Sequence, residues 1–515
     1  MPEHLRALIV ILILAAGVFA LAKGPALASG TAENDFNLRR NTWFAVTLAA
    51  FLAHSFWLFI AVAGALLAIA AGKERNRLAL YFTLLFAVPA IAVDIPGFAG
   101  VRVFFSMDWI RLLALTVLLP AFIVLAAKGE GERFGARWPD RLIVAYLALN
   151  FALMLASSSA THALRQGVFC AFIDVFVPYY VASRALRNFA DFRDAMMAFV
   201  IGAAVLAVIG IFESAKGWLL YRSLEDALRA YWAFGDYLHR EGSLRALGTS
   251  GQPIAFGYVM AVALGFLIFL QRGTANRLPG AVALLVLLAA LLASVSRGPW
   301  LGASVIALLA LAPGRPLGMR LLAISVTGLL MAPLLFWTQA GATLVDLLPF
   351  VGSVDAQNVM YRQRLLAAFL EVIGRSPLFG AYDYILTPEV QQLRQGDGLI
   401  DVVNTYVGVG FSSGLVGLAL FAAFFAAAAA SVFGATAKGI QSSGEPAALR
   451  QTLLATLVGI LVMIFTVSSI TVIPVIYWVV AGLCVGYARI VADAQPRSAI
   501  RERSVLRSRP FPTSG

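Results

Sequence analysis

"LPGAVALLVLLAALLASVSRGPWLGASVIALLAL", residues 278–311, holds two uncharged apolar runs joined by a short polar turn with one arginine, Arg297. As helices, apolar runs of about 17–25 residues cross the hydrocarbon of a bilayer. Of the 515 residues, 61% are hydrophobic and only 13% charged, where a soluble domain carries about a quarter charged. About fourteen such runs are readable: Leu5–Ala22, Trp43–Ala71, Leu78–Val93, Trp109–Ala127, Leu142–Ala156, Val168–Ala182, Ala195–Phe212, Pro253–Leu270, Leu278–Ala293, Trp300–Leu311, Leu321–Trp337, Asn404–Phe433, Leu453–Thr466 and Val472–Val485. Trp43–Ala71 is long enough to be two pieces. The expected fold is an all-α polytopic membrane protein with about 12–14 transmembrane helices.

The connectors set the orientation. One alternating set, including "GKERNR", "SRALRNFADFR", "QRGTANR" and the Arg-rich tail after Val485, carries about 22 of the 39 Lys and Arg. Positive charge collects on the cytoplasmic side of membrane proteins, so this set and both termini are expected there. A formal net charge of +12 then needs no nucleic-acid partner, and membrane lipids are the natural contact of a basic, disordered tail. The expected division is N-terminal helices (1–212), a first long outer connection (213–252), central helices (253–337), a second long outer connection (338–403), C-terminal helices (404–487) and the cytoplasmic tail (488–515). The first run is read as a retained helix rather than a signal peptide, although "ALA" at 26–28 resembles a cleavage site. Cys170 and Cys484 fall inside runs, with no metal-ligand spacing.

Polar residues gather in the outer connections. Arg297 sits between two runs, followed by Gly298, Pro299 and Trp300. It is either an interfacial arginine beside a Trp anchor or a fixed cation awaiting a phosphate. Arg245, in "GSLRALGTSGQP", stands eight residues before the next run. Leu220, Leu224, Leu228, Tyr231 and Trp232 recur at helical spacing, which predicts a helix lying in the membrane interface. Leu365, Leu366, Phe369, Leu370 and Ile373 predict another helix, ending at Ser376-Pro377, with Arg362 and Arg364 near its start and Arg375 at its end. An arginine in a first turn opposes the helix dipole, so Arg362 is expected to have an anionic partner. Asp174 lies inside a run, where a carboxylate is either functional or paired with a neighbouring helix. Asp401, Asn404 and Tyr406 crowd the entry to the Asn404–Phe433 run.

These motifs together resemble the O-antigen ligases and the Wzy-type O-antigen or exopolysaccharide polymerases, most strongly over residues 195–435. "LRALGTSGQP" with Arg245 resembles the family's arginine before the span that follows its first outer loop. "SVSRGPW" with Arg297 resembles its Ser-Arg-Gly turn. Arg362 ahead of "SPLFG" resembles the opening of its large periplasmic loop. The family's His-Asn pair is matched only in part, since "VVNTYVGVGFSSGLVGL" has Asn404 but places Val403 at the histidine.

The resemblance implies a GT-C-like glycosyltransferase of the bacterial inner membrane, working at the periplasmic face without cofactor or metal. The implied donor is an undecaprenyl-pyrophosphate-linked oligosaccharide, and chain-length regulator or export proteins are the expected protein partners. Arg245, Arg297 and Arg362 would cradle pyrophosphate with Arg364 near them, and Asn404 and Tyr406 would position sugars. Val cannot act as the base, so Asp401 is the first replacement and Asp383 the second. The lost histidine favours a polymerase, with O-antigen ligase, lipid-linked sugar transporter and catalytically dead assembly partner as alternatives. Transporters tend to show internal repeats and charges at mid-membrane, and the sequence has no clear repeat.

Overall fold

The computed structural model describes residues 1–97, 103–128, 133–240, 242–272, 276–311, 356–394, 400–435 and 444–507, with the side chains of 311, 356–359 and 494–507 left aside. It is an all-α polytopic membrane protein. Among the described residues ten helices are long and apolar enough to cross a membrane, and Leu278–Ala293 and Arg297–Leu311 are shorter apolar helices. The expected Leu321–Trp337 run lies outside the described residues.

The most enclosed helices are Phe189–Lys216, Pro253–Leu270 and the apolar part of Ile473–Arg507. Gly302 and Gly459 let Arg297–Leu311 approach Glu445–Ile464 closely: a Cβ at Gly302 would lie 2.1 Å from Met463 Cγ, and one at Gly459 would lie 2.3 Å from Ile306 Cγ1. Small residues at such crossings replace the hydrophobic drive that lipid cannot supply.

Two expectations about the chain's path need correction, while the length of Trp43–Ala71 does reflect two pieces. Trp43–Ala71 is two helices, Glu33–Leu52 and Phe56–Lys73, broken at His54, which takes φ +51°. Leu78–Val93 does not cross as one helix. Arg77–Leu84 is helical and Pro89 follows soon after. A proline supplies no amide donor and stops a helix, and the chain continues into a strand, Val93–Pro96, paired with Val103–Met107. The freed carbonyls are satisfied by side chains: Trp109 Nε1 donates to Leu84 O (3.0 Å) and Thr249 Oγ1 to Phe86 O (2.9 Å). Irregular backbone inside a membrane protein survives where protein supplies the missing partners.

The second correction concerns the termini. Trp218 Nε1 donates to Glu3 (3.0 Å), whereas Thr31 Oγ1 donates to Asp194 (2.8 Å). Trp218 and Asp194 mark opposite ends of Phe189–Lys216. Arg489, on the last helix, donates to the Arg184 carbonyl at the Asp194 end. Glu3 and the tail therefore lie at opposite ends of the bundle, and both termini cannot face the cytoplasm. The first helix runs opposite to the expected direction because Glu33–Leu52 supplies an additional pass. The last helix also continues to Arg507, where a disordered tail is expected from composition.

Glu33–Leu52 carries charges because they are used. Arg39 is buried and reaches both Glu74 (Nη2 to Oε1, 2.7 Å) and Asp194 (Nη1 to Oδ1, 2.8 Å), while Asn76 Nδ2 donates to Asp194 (3.0 Å). Pairing of this kind makes buried charge tolerable. Asp174 is likewise paired, receiving Arg111 Nη2 at 2.8 Å. These networks fix how the N-terminal helices meet Phe189–Lys216, whose far end positions the site.

Candidate active site

The turn between Leu278–Ala293 and Arg297–Leu311 is held by its own side chains. Trp300 Nε1 donates to Leu291 O (2.8 Å), as does Ser294 Oγ (2.6 Å), and Ser296 Oγ donates to Ser294 O (3.0 Å). Val295 takes φ +44°, a left-handed conformation that a β-branched residue rarely adopts. Strain of this kind persists only where surrounding contacts enforce it. It brings Arg297 to the first position of its helix, where helix dipole and guanidinium both favour an anion.

Arg245 meets this turn from the other side. The buried Glu213 carboxylate, at the end of Phe189–Lys216, accepts the backbone N–H groups of Leu220 (3.0 Å), Leu247 (3.4 Å) and Gly248 (2.8 Å). Ala246 N donates to Ala293 O (3.0 Å), pinning the loop to the neighbouring helix. Arg245 then donates through Nε to Ser294 O (3.2 Å) and through Nη2 to Ser296 Oγ (2.8 Å). Burial, reinforced by the Arg240 charge, pushes the Arg245 guanidinium down to about 10. It stays protonated at neutral pH, and an anion would relieve the stress. Arg240 donates to Val295 O at 3.4 Å.

The expected interfacial helix of this connection is five residues, Leu224–Leu228. Leu220, Leu224, Leu228 and Trp232 are buried in the protein, leaving Tyr231 exposed. Helical spacing marked the apolar residues, but tertiary burial rather than the membrane surface covers them.

The third component is the Ala356–Arg375 helix with the segment after it. Its buried face is Leu365, Ala368 and Val372, whereas Leu366 and Leu370 of the expected stripe are exposed. Tyr361 grips the backbone of Asp401: its hydroxyl donates to Asp401 O (2.8 Å) and accepts from Asp401 N (3.0 Å). Ser468 Oγ donates to Asp401 Oδ1 (2.5 Å), and Thr405 N and Oγ1 donate to Val467 O (3.1 and 2.8 Å). Asp401 is exposed at one side, yet desolvation by the neighbouring protein raises its pKa above the usual carboxylate value, while Ser468 and the Arg362 charge oppose the rise. Dehydration lowers the Arg362 pKa; Asp401 counters this, and the Arg240 and Arg297 charges add to it. Arg362 is therefore within electrostatic reach of Asp401, Arg240 and Arg297, and Arg240 in turn of Arg245, at one end of the bundle.

The remaining sequence candidates have other positions. Asn404 is the cap of Thr405–Gly434, its Oδ1 accepting from Tyr406 N (2.9 Å) and Val407 N (3.3 Å). Tyr406 donates its hydroxyl to Leu461 O (2.9 Å), inside the bundle. Arg364 and Asp383 are exposed, as Arg362 and Asp401 are, but among the described residues neither makes a hydrogen bond or ion pair to the cluster. Val403 packs with the apolar cluster of Leu365, Val372 and Phe411. Arg240, Tyr361 and Ser468 were not singled out from sequence. Arg240 is brought in by a small hairpin, His239–Arg240 with Ser243–Leu244, whose turn contains Gly242 at φ +77°; the Glu-Gly pair at 241–242 was the available signal.

Fold and site together define a polytopic membrane protein with a cluster of arginines and one carboxylate assembled from three distant parts of the chain. Residues 282–422 match the family model described as O-antigen ligase, which bears out the resemblance to O-antigen ligases and Wzy-type polymerases over that stretch. The matched range contains Arg297, Arg362 and Asp401; Arg240 and Arg245 precede it. The match supports a ligase- or polymerase-type activity in O-antigen assembly. Comparison with curated proteins gives no match.

Proposed function

We propose that this protein is a polysaccharide polymerase, transferring a saccharide from undecaprenyl pyrophosphate to a hydroxyl of a second lipid-linked repeat at the periplasmic face of the inner membrane. The observation that carries this reading is the gathering of Arg240, Arg245, Arg297 and Arg362 at one end of the bundle, with Asp401 beside Arg362. Pyrophosphate is a leaving group with several charged oxygens, and the planar guanidinium fork binds such oxygens bidentately. In the reaction the bond from the anomeric carbon to the phosphate oxygen breaks, its electron pair leaving with undecaprenyl pyrophosphate. The acceptor oxygen forms the new bond and gives its proton to a base. The arginines hold the departing charge, and Asp401 takes the proton.

Val403 supports polymerase over ligase. The side chain at the position resembling the family histidine packs into an apolar cluster and has no proton acceptor. Extraction and sizing of undecaprenyl-linked glycans from a deletion strain tests the choice. Single repeats without long chains are expected. Long chains stranded on the lipid, with none on a final acceptor, would make the protein a ligase instead.

A general base works only when deprotonated. Because the Asp401 pKa lies above the usual carboxylate value, activity of wild type should fall with decreasing pH at a higher pH than an ordinary aspartate would give. Asp401→Asn, which keeps an acceptor for Ser468, should lower the rate by about 100-fold or more. Full activity in Asp401→Asn would remove Asp401 as the base.

A further inference from the structure

At the tail end of the bundle, away from the arginine cluster of the candidate site, a cleft of about 2010 Å³ opens between Glu3–Ala28, Phe189–Lys216, Pro253–Leu270, Leu278–Ala293 and Glu445–Ile464. Its walls are apolar along the helices, and its charged lining is concentrated at the mouth. Arg193, Arg272, Arg277 and Arg450 line the cleft together with one carboxylate, Glu445, which pairs with Arg193. Arg272 sits in the connection before Leu278–Ala293, donating to Gln451 Oε1 (3.2 Å) and to Ala310 O. Partial burial lowers its pKa, so an anion at the mouth would stabilise its charged form.

The depth of the cleft identifies what fits. It extends along Phe189–Lys216 from Arg193 to Val208, and along Glu445–Ile464 from Glu445 to Val458. At the helical rise these stretches are roughly 20–22 Å, about half a bilayer with its headgroup layer. Phosphate chemistry at the mouth and hydrocarbon one leaflet deep are the two halves of a lipid. Neither a soluble phosphate nor a neutral hydrocarbon would use both.

We infer that this cleft is a binding site for an anionic glycerophospholipid of the tail-side leaflet, its phosphate held by Arg272 and Arg277 and its acyl chains lying against Val208, Val286 and Val458. The site does not depend on the polymerase reading, since no residue of it belongs to the arginine cluster around Asp401. A lipid here would brace Leu278–Ala293, whose other end carries the Arg297 turn, against Phe189–Lys216.

The test is native mass spectrometry of the full-length protein in detergent, titrated with dioleoyl phosphatidylglycerol and, separately, dioleoyl phosphatidylcholine. The wild type should bind the anionic lipid roughly tenfold more tightly, in keeping with the attraction that juxtamembrane arginines exert on anionic lipid. The double variant Arg272→Gln, Arg277→Gln should lose that preference. Val286→Trp, which fills the cleft and keeps every arginine, should lose binding of both lipids and provides the answer if the double variant does not fold. Equal binding of the two lipids by wild type would overturn the inference. So would a preference that survives either variant, because the lipid would then lie elsewhere. Displacement of phosphatidylglycerol by an equal concentration of glycerol 3-phosphate would also overturn it, since the acyl chains would then contribute nothing.

Discussion

Arg297→Ala should abolish polymer while the protein remains membrane-inserted. Loss of one preorganised donor to a developing oxyanion costs roughly 100- to 1000-fold in rate, and Arg297 combines a guanidinium with the first turn of a helix. Its turn is braced independently of its side chain, through Trp300 to Leu291, Ser294 to Leu291 and Ser296 to Ser294. The variant should therefore keep the turn and lose only the cation. Arg297→Lys separates the two contributions, since it restores charge without the planar fork and should recover part of the activity. The measurement is sizing of lipid-linked glycans beside immunodetection of the protein in membranes. Near-normal chain length in Arg297→Ala would remove Arg297 from the site, and disappearance of the protein from membranes would give it a structural role instead.

The apolar runs were legible because length and composition alone decide whether a helix crosses a bilayer; Pro253–Leu270 was read with the bounds the structure gives it. Composition cannot tell a crossing helix from a broken one buried in protein, and Leu78–Val93 was misread for that reason. Nor does a break need Gly or Pro. His54 ends one helix and Ser55 opens the next, so only the length of Trp43–Ala71 marked the break, and counting it as a single pass inverts the direction of everything before it.

In the site, Arg245, Arg297 and Arg362 were legible as cations close to the ends of apolar runs or at the start of a helix in the outer connections. Their convergence was not, because Glu213, the Ser294–Ser296 backbone and Tyr361 arrange it across long separations in sequence. Asn404 shows the converse error. An Asn just before an apolar helix is a helix-cap signal as much as a ligand signal, and here its side-chain oxygen is spent on the cap.

Gly414→Ala should be as damaging as loss of an arginine, although Gly414 bears no functional group. The Thr405–Gly434 helix is interrupted there, with φ +64° and ψ −166°, a conformation essentially restricted to glycine and costing other residues about 1–3 kcal/mol. The "SPLFGA" segment after the Arg362 helix enters the gap. Ala381 N donates to Phe411 O (2.7 Å), Leu415 N to Pro377 O (2.9 Å) and Val416 N to Leu378 O (3.1 Å). The contact is backbone on backbone, so a Cβ at Gly414 would lie 2.4 Å from the Leu378 carbonyl carbon and oxygen. Neither side can yield by turning a rotamer. Alanine thus favours closing the helix and expelling the segment, which carries Arg362 away from Asp401 while Ser468 still holds the carboxylate. Activity should fall about 100-fold, the scale of a lost electrostatic contact, and trypsin should cut faster at Arg375 and Arg394 in the released segment. Gly408→Ala is the control in the same helix, because its Cβ would meet only Val402 Cγ1, at 3.6 Å, and it should leave product and digestion unchanged. Normal chain length and normal digestion in Gly414→Ala would mean that the interrupted helix does not position the Arg362 helix over the site.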